Sequence, residues 1–251
     1  MHQTAHRSAS TGIRNTCTLK TLLASSLLCS LTFLAPAVQA AVIDFDGLDN
    51  DLIFSGASVE QHGLRLSGFD ATGTPGALVG AIIDGSDSGF CSGLDCPVGN
   101  PGNYYAGLND GILGVQTLHA GGTFKVQGFD ASFIGNGGGY ADLAGRLVVQ
   151  GFYGNGQSLS QTFDLAGPGA AGFSFQQYSF NSAMSALSFS GLQVFALACD
   201  DNGACGAFGN NQGQFAFDNL NLTVSAVPEP STYAMLLLGL ASIAALSRRR
   251  A

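Results

Sequence analysis

From Ala41 to Ala226 the apolar positions recur at every second residue. In "GTFKVQGFDASF" Phe124, Val126 and Phe129 or Phe133 alternate with polar neighbours, and "GRLVVQGFYG" repeats the pattern with Leu147, Val149 and Phe152. "GQFAFDNLNLTV" carries it through Phe215, Phe217, Leu220, Leu222 and Val224. A two-residue period turns one side of an extended chain toward a core and the other toward water, as in a half-buried strand. Shorter runs of the same kind stand at "AVIDFDGL", "HGLRLSGF", "GALVGAII", "QSLSQTFDL", "SFQQYSF" and "SALSFSGLQVFAL". Turn clusters such as "NDG", "GNGGG", "GNGQ" and "GPGAAG" separate them. Roughly ten strands over about 185 residues predict an all-β domain, an antiparallel jelly-roll-like β-sandwich. Seventeen of the eighteen phenylalanines fall in this span, enough apolar surface for a core. No helix is predicted inside it. With no internal linker and no period of a repeat protein, residues 41–226 read as one domain.

Both ends of the chain break the two-residue period. Residues 1–40 open with a polar stretch carrying Arg7, Arg14 and Lys20, continue through the apolar "TLLASSLLCSLTFLA", and close on "PAVQA". A basic lead, a short oily core and small residues at the exit describe a secretory signal peptide, with cleavage predicted between Ala40 and Ala41. At the other end, residues 227–251 run from Val227-Pro228-Glu229-Pro230-Ser231 into an apolar stretch from Tyr233 to Leu246. They stop at Arg248, Arg249 and Arg250. As a helix, those fourteen apolar residues span about 21 Å, short of the ~30 Å hydrocarbon core. The segment is predicted to be a short transmembrane helix suited to transient retention in a membrane, with the arginines inside.

Setting both ends aside changes the charge. Only Arg65, Lys125 and Arg146 remain in the body against sixteen acids, a net charge near −13. Such a surface repels phosphate backbones, so nucleic acid is excluded as a partner. Four cysteines stay in the body: Cys91 and Cys96 in "CSGLDC", and Cys199 and Cys205 in "CDDNGAC". After export they are expected to form two disulfides, and the local pairings are favoured because each closes a small turn.

Catalytic signatures are sparse. "GSDSG" from Gly85 to Gly89 places Asp87 where a serine-hydrolase elbow needs Ser, and only His62 and His119 could act as base. Glu60 is the single glutamate of the body and tryptophan is absent, so a glycan hydrolase stays an alternative without a marked acid–base pair. Tyr104 and Tyr105 are candidate ligand residues for a carbohydrate-binding module. Calcium is the candidate cofactor. "DFDGLDND" supplies Asp44 and Asp46, and "FDNLN" supplies Asp218. Pairing of the first and last strands, common in jelly rolls, would bring these hard oxygens together.

The order Pro-Glu-Pro, apolar run and arginine cluster at the end of a chain with a signal peptide resembles the PEP-CTERM sorting signal of exported bacterial proteins. The resemblance covers the last 25 residues. It implies cleavage near Pro228-Glu229-Pro230 by an exosortase, a membrane-embedded cysteine transpeptidase, in bacteria that make exopolysaccharide. "GQFAFDNLNLTV" is similar to the closing strand of many such proteins, and Gln214, Phe215 and Asp218 fit a subgroup named for QFxxD. The resemblance implies export and a domain type and assigns no activity; with the sparse catalytic signatures, the expected protein is exported, non-enzymatic and of the cell surface or the biofilm matrix. Such a protein would be held at the inner membrane during sorting and then released to the surface or the extracellular polysaccharide.

Overall fold

The computed structural model describes residues 38–87, 89–154, 156–225 and 230–248. Fourteen strands follow one another along them. They are β1 (Val38–Ile43), β2 (Asp51–Phe54), β3 (Ser58–Gln61), β4 (Leu64–Phe69), β5 (Leu78–Asp84), β6 (Asn103–Gly107) and β7 (Ile112–Thr117), then β8 (Thr123–Phe133), β9 (Leu143–Tyr153), β10 (Gln157–Ala166), β11 (Gln176–Ser179), β12 (Gly191–Cys199), β13 (Cys205–Gly206) and β14 (Phe215–Ser225). One sheet has the order β11-β8-β14-β6-β5-β2, with β1 also on β14; the other has the order β10-β9-β12-β7-β4-β3, with β13 on β12. The named strand pairs are all antiparallel. The protein is a β-sandwich.

Its core lies between the sheets. Phe124, Phe129, Phe133, Phe189, Phe215 and Phe217 are buried there, with Ile43, Leu64 and Val149 among them. Glycine makes room for several of these rings. Phe215 sits opposite Gly107 in the β14–β6 register, and a Cβ on Gly107 would stand 2.1 Å from the Phe215 ring. Gly151 takes Phe189 in the same way, at 2.3 Å. The many glycines of this body are therefore partly packing devices as well as turn formers.

Two strands do not alternate. β5 and β6 are buried on consecutive positions, because the outer face of their sheet is covered too. Ala81, Ile83, Tyr104, Ala106, Ile134 and Ala216 form a second apolar cluster there. Phe90, Leu94 and Phe175 pack against it from above. A strand covered on both faces reads as an unbroken apolar run, which is what "GALVGAII" displays.

A one-and-a-half-turn helix, α1 (Ser182–Ala186), breaks the all-strand expectation. Asn181 caps it by accepting a hydrogen bond from the Met184 N–H at 2.9 Å, and Met184 drops into the core. At five residues it is too short to produce a readable helical period.

The first and last strands do pair: Ile43 stands opposite Leu220, and Ala41 opposite Leu222. The expected signal cleavage after Ala40 falls within β1. It would spare the buried half of the strand, Ala41 and Ile43, and remove the exposed Gln39 and Ala40. The rest of the predicted leader, the Val227–Glu229 stretch, Arg249 and Arg250 lie outside the described residues.

Candidate functional site

A long connection, residues 85–102, leaves β5 and folds back over the outer face of its sheet before entering β6. The Cys91–Cys96 disulfide closes its first half. Asp95 and Gly135 exchange backbone hydrogen bonds at 2.8 and 3.1 Å, stitching the loop to the turn after β8. Farther along, the Val98 N–H donates to the Phe173 carbonyl at 2.8 Å, and the Phe175 N–H donates back to Val98 at 3.3 Å. Between these three loops lies a cleft of about 840 Å³. Asp84, Asp87, Asp95, Asn100, Tyr104 and Tyr140 supply its polar groups, and among the described residues the lining carries no Lys, Arg or His.

Each acid of the cleft is anchored by one carboxylate oxygen. Asp84 Oδ1 accepts from both the hydroxyl and the N–H of Ser86, at 2.6 and 2.8 Å, and these bonds hold its carboxyl below the usual range. Asp87 Oδ1 accepts from the Gly89 N–H at 2.8 Å, and Asp95 Oδ2 from the Gly137 N–H at 2.9 Å. The opposite oxygen of each carboxylate is free of partners among the described residues. Tyr140 is fixed by Asn136, which donates its N–H to the phenol oxygen and accepts the phenol proton, both at 2.6 Å.

The two adjacent tyrosines part company, since neighbours on a strand face opposite sides of a sheet. Tyr105 turns inward, 2 % exposed, between Phe45 and Phe215. Its hydroxyl is buried without a hydrogen-bond partner. As a ligand residue Tyr105 is corrected: it belongs to the core. Tyr104 turns outward and lines the cleft, its ring held edge-on by Phe175 with centroids 5.2 Å apart.

A second polar assembly adjoins the cleft at the middle of β14. There the register of β14 shifts between Asp218 and Asn221, and Asn219 adopts a left-handed φ of 50°. This bulge marks the point where the partner of β14 changes from β6, opposite Phe215–Phe217, to β1, opposite Leu220–Ser225. Asp218 is 3 % exposed at this junction. Its Oδ2 accepts from Asn100 Nδ2 at 2.6 Å, and its Oδ1 is buried with no partner. Burial pushes its pKa up to about 7; the nearby Asn219 N–H and the bond from Asn100 pull it back, and the charges of Asp46 and Asp130 add to the rise.

Of the candidate calcium ligands, Asp46 lies close enough to Asp218 for its charge to act on it, and all three have protein partners of their own. Asp44 Oδ1 accepts from Gln61 Nε2 at 2.8 Å and from the Asp46 N–H at 3.2 Å. Asp46 Oδ1 accepts from the Asn103 N–H at 2.9 Å. Asp130, which no sequence motif marks, accepts from Asn219 Nδ2 at 2.9 Å. Among the described residues no three His, Cys, Asp or Glu side chains converge as a metal-binding group. Gln214 and Phe215 of the QFxxD pattern are buried like Asp218.

Both local disulfides are present, Cys91–Cys96 and Cys199–Cys205. The second ties the end of β12 to β13, away from the cleft lining.

Past β14 the chain enters α2 (Pro230–Arg248). Among the described residues no helix is long and apolar enough to cross a membrane. Residues 226–251 match the PEP-CTERM protein-sorting motif. The motif marks an exosortase-sorted exported protein that passes through a membrane-anchored intermediate. The match begins at residue 226 and leaves the sandwich, with its Gln214–Asp218 pattern, outside it. Comparison with curated proteins gives no match. Among solved structures, the similar chains include three carbohydrate-binding proteins. The module TmCBM61, in complex with beta-1,4-galactotriose, is 11 % identical at a TM-score of 0.32, covering 65 % of this chain and 89 % of the module. The CBM22-1–GH10 modules of Clostridium thermocellum endo-1,4-beta-D-xylanase 10B, with xylohexaose, are 9 % identical at 0.31, covering 72 % and 28 %. The family 11 module of the same organism, with a beta-1,3-1,4-mixed-linked tetrasaccharide, is 13 % identical at 0.30, covering 77 % and 99 %. Similarity at this level assigns no ligand.

Proposed function

We propose that this chain is a non-enzymatic β-sandwich protein of the cell surface or extracellular matrix, delivered by an exosortase and retained in exopolysaccharide. The observation that carries the reading is the sorting motif at 226–251 directly behind a disulfide-bonded sandwich. Disulfides fit an oxidising compartment, and the acidic body suits a soluble life outside the cell. The residues that would do chemistry have structural employment. Glu60 pairs with Arg65 at the surface at 3.1 Å, His62 occupies a turn with φ of 50°, and "GSDSG" is part of the covering loop.

Mass spectrometry of the native product, with fractionation of the culture, tests this. The expected species begins at Ala41, lacks Arg248–Arg250, and sediments with the polysaccharide. Persistence of the intact C-terminus outside the inner membrane would overturn the sorting; free diffusion of the processed protein into the medium would overturn the retention.

A further inference from the structure

The cleft over the outer sheet face holds a group that the protein leaves unused. Tyr104 is 1 % exposed and lines the cavity. Burial is the sole cause of the upward shift of its phenol, and no hydrogen bond from a described residue reaches its oxygen. Unlike the Tyr105 hydroxyl, it is not sealed inside the protein. A phenol nearly removed from water and left open only to a cavity is a donor awaiting an acceptor, because an unmade hydrogen bond there costs the full desolvation of the group.

Its surroundings define what would complete it. Asp84, Asp87 and Asp95 line the same cavity, each with one oxygen spent on the loop and one free to accept. Tyr140, Pro97, Pro101 and Pro168 add apolar ring surface to the same lining. Fixed acceptors together with apolar ring surface suit a molecule rich in hydroxyl donors with an apolar C–H face. With three acids and no cation in the lining, carboxylate or phosphate groups on the ligand are repelled. We propose that this cleft binds a neutral saccharide, with Tyr104 donating to a ring or hydroxyl oxygen and the three carboxylates accepting from sugar hydroxyls.

This inference stands apart from the sorting reading, since it concerns residues 84–173 and does not need the tail to be cut. The full-length exported protein, purified in mild detergent, would be run by affinity electrophoresis through a neutral glucan, galactan and xylan. Polygalacturonate and oligolysine serve as the opposed controls. Retardation by a neutral polymer is expected, insensitive to EDTA and absent with polygalacturonate. Tyr104→Phe should weaken it about fivefold, the loss of one hydrogen bond, with an unchanged melting midpoint. Asp87→Asn, on an exposed loop, should weaken it too. Retardation by oligolysine alone, loss of binding on chelation, or full affinity in Tyr104→Phe would each overturn the proposal, as would no retardation by any neutral polymer.

Discussion

Asn100 donates from Nδ2 to Asp218 Oδ2 at 2.6 Å, across 118 positions of sequence. The bond joins the loop that forms the cleft to the bulge in the closing strand. Asn100 Oδ1 at the same time accepts from the Gly102 N–H at 2.9 Å. One side chain therefore sets both the end of the covering loop and the environment of a buried acid.

That acid should make stability depend on pH. The pKa of Asp218 is about 7 in the folded chain against an ordinary value of 3.8, so the folded state holds the proton more tightly. The resulting stabilisation is complete below the unfolded value and is lost as pH rises through about 7. Melting midpoints taken from pH 4 to 8 should fall across that window. Asp218→Asn, which keeps the shape and removes the charge, should flatten the profile and melt higher than the parent at pH 8. An unchanged slope in Asp218→Asn would show that Asp218 is not the titrating group.

The two neighbouring tyrosines should answer the same substitution differently. Tyr105→Phe removes a buried hydroxyl that has no partner, so its effect on stability should lie between neutral and a gain of about 1 kcal/mol. Chemical denaturation resolves this, and a loss of stability would reveal a bond to that hydroxyl. Tyr104→Phe should leave denaturation unchanged and act only on ligand affinity.

Gly107→Ala should destabilise the sandwich by about 1–3 kcal/mol, the usual cost of overpacking a filled core. Its new methyl group would stand 2.1 Å from the Phe215 ring. Recovery of part of the loss in the double variant Gly107→Ala, Phe215→Leu would identify that ring as the obstacle. An equal melting midpoint for parent and Gly107→Ala would refute the steric account.

Opening the Cys91–Cys96 bridge should act locally. The five-residue separation gives a small closed loop, worth about 2 kcal/mol in the chain-entropy model. In Cys91→Ser, Cys96→Ser, hydrogen exchange should speed up at the Val98 and Phe175 amides, which clasp the covering loop. Exchange at β9 and β12, on the other sheet, should not change. Uniform acceleration would mean that the loop is part of the global fold.

The sequence alone determined the sandwich, the sorting tail and the disulfides, because each is a local signal. Alternation marks long half-buried strands such as β8 and β9, and the sorting tail and the cysteine pairs are each contiguous in the chain. Pairing of the first and last strands could be anticipated too, and β1 does lie on β14. What the sequence could not reach depends on the third dimension. Tyr104 and Tyr105 are identical in type and adjacent in sequence. One faces the cleft and the other the core because a strand alternates sides, and only the sheet's position says which side is which. Asp130 and Asn100 gave no signal, as their partners lie 89 and 118 positions away. The cleft itself is assembled from three loops that meet only when the sheets have packed, so its chemistry was written in the chain but its existence was decided by the fold.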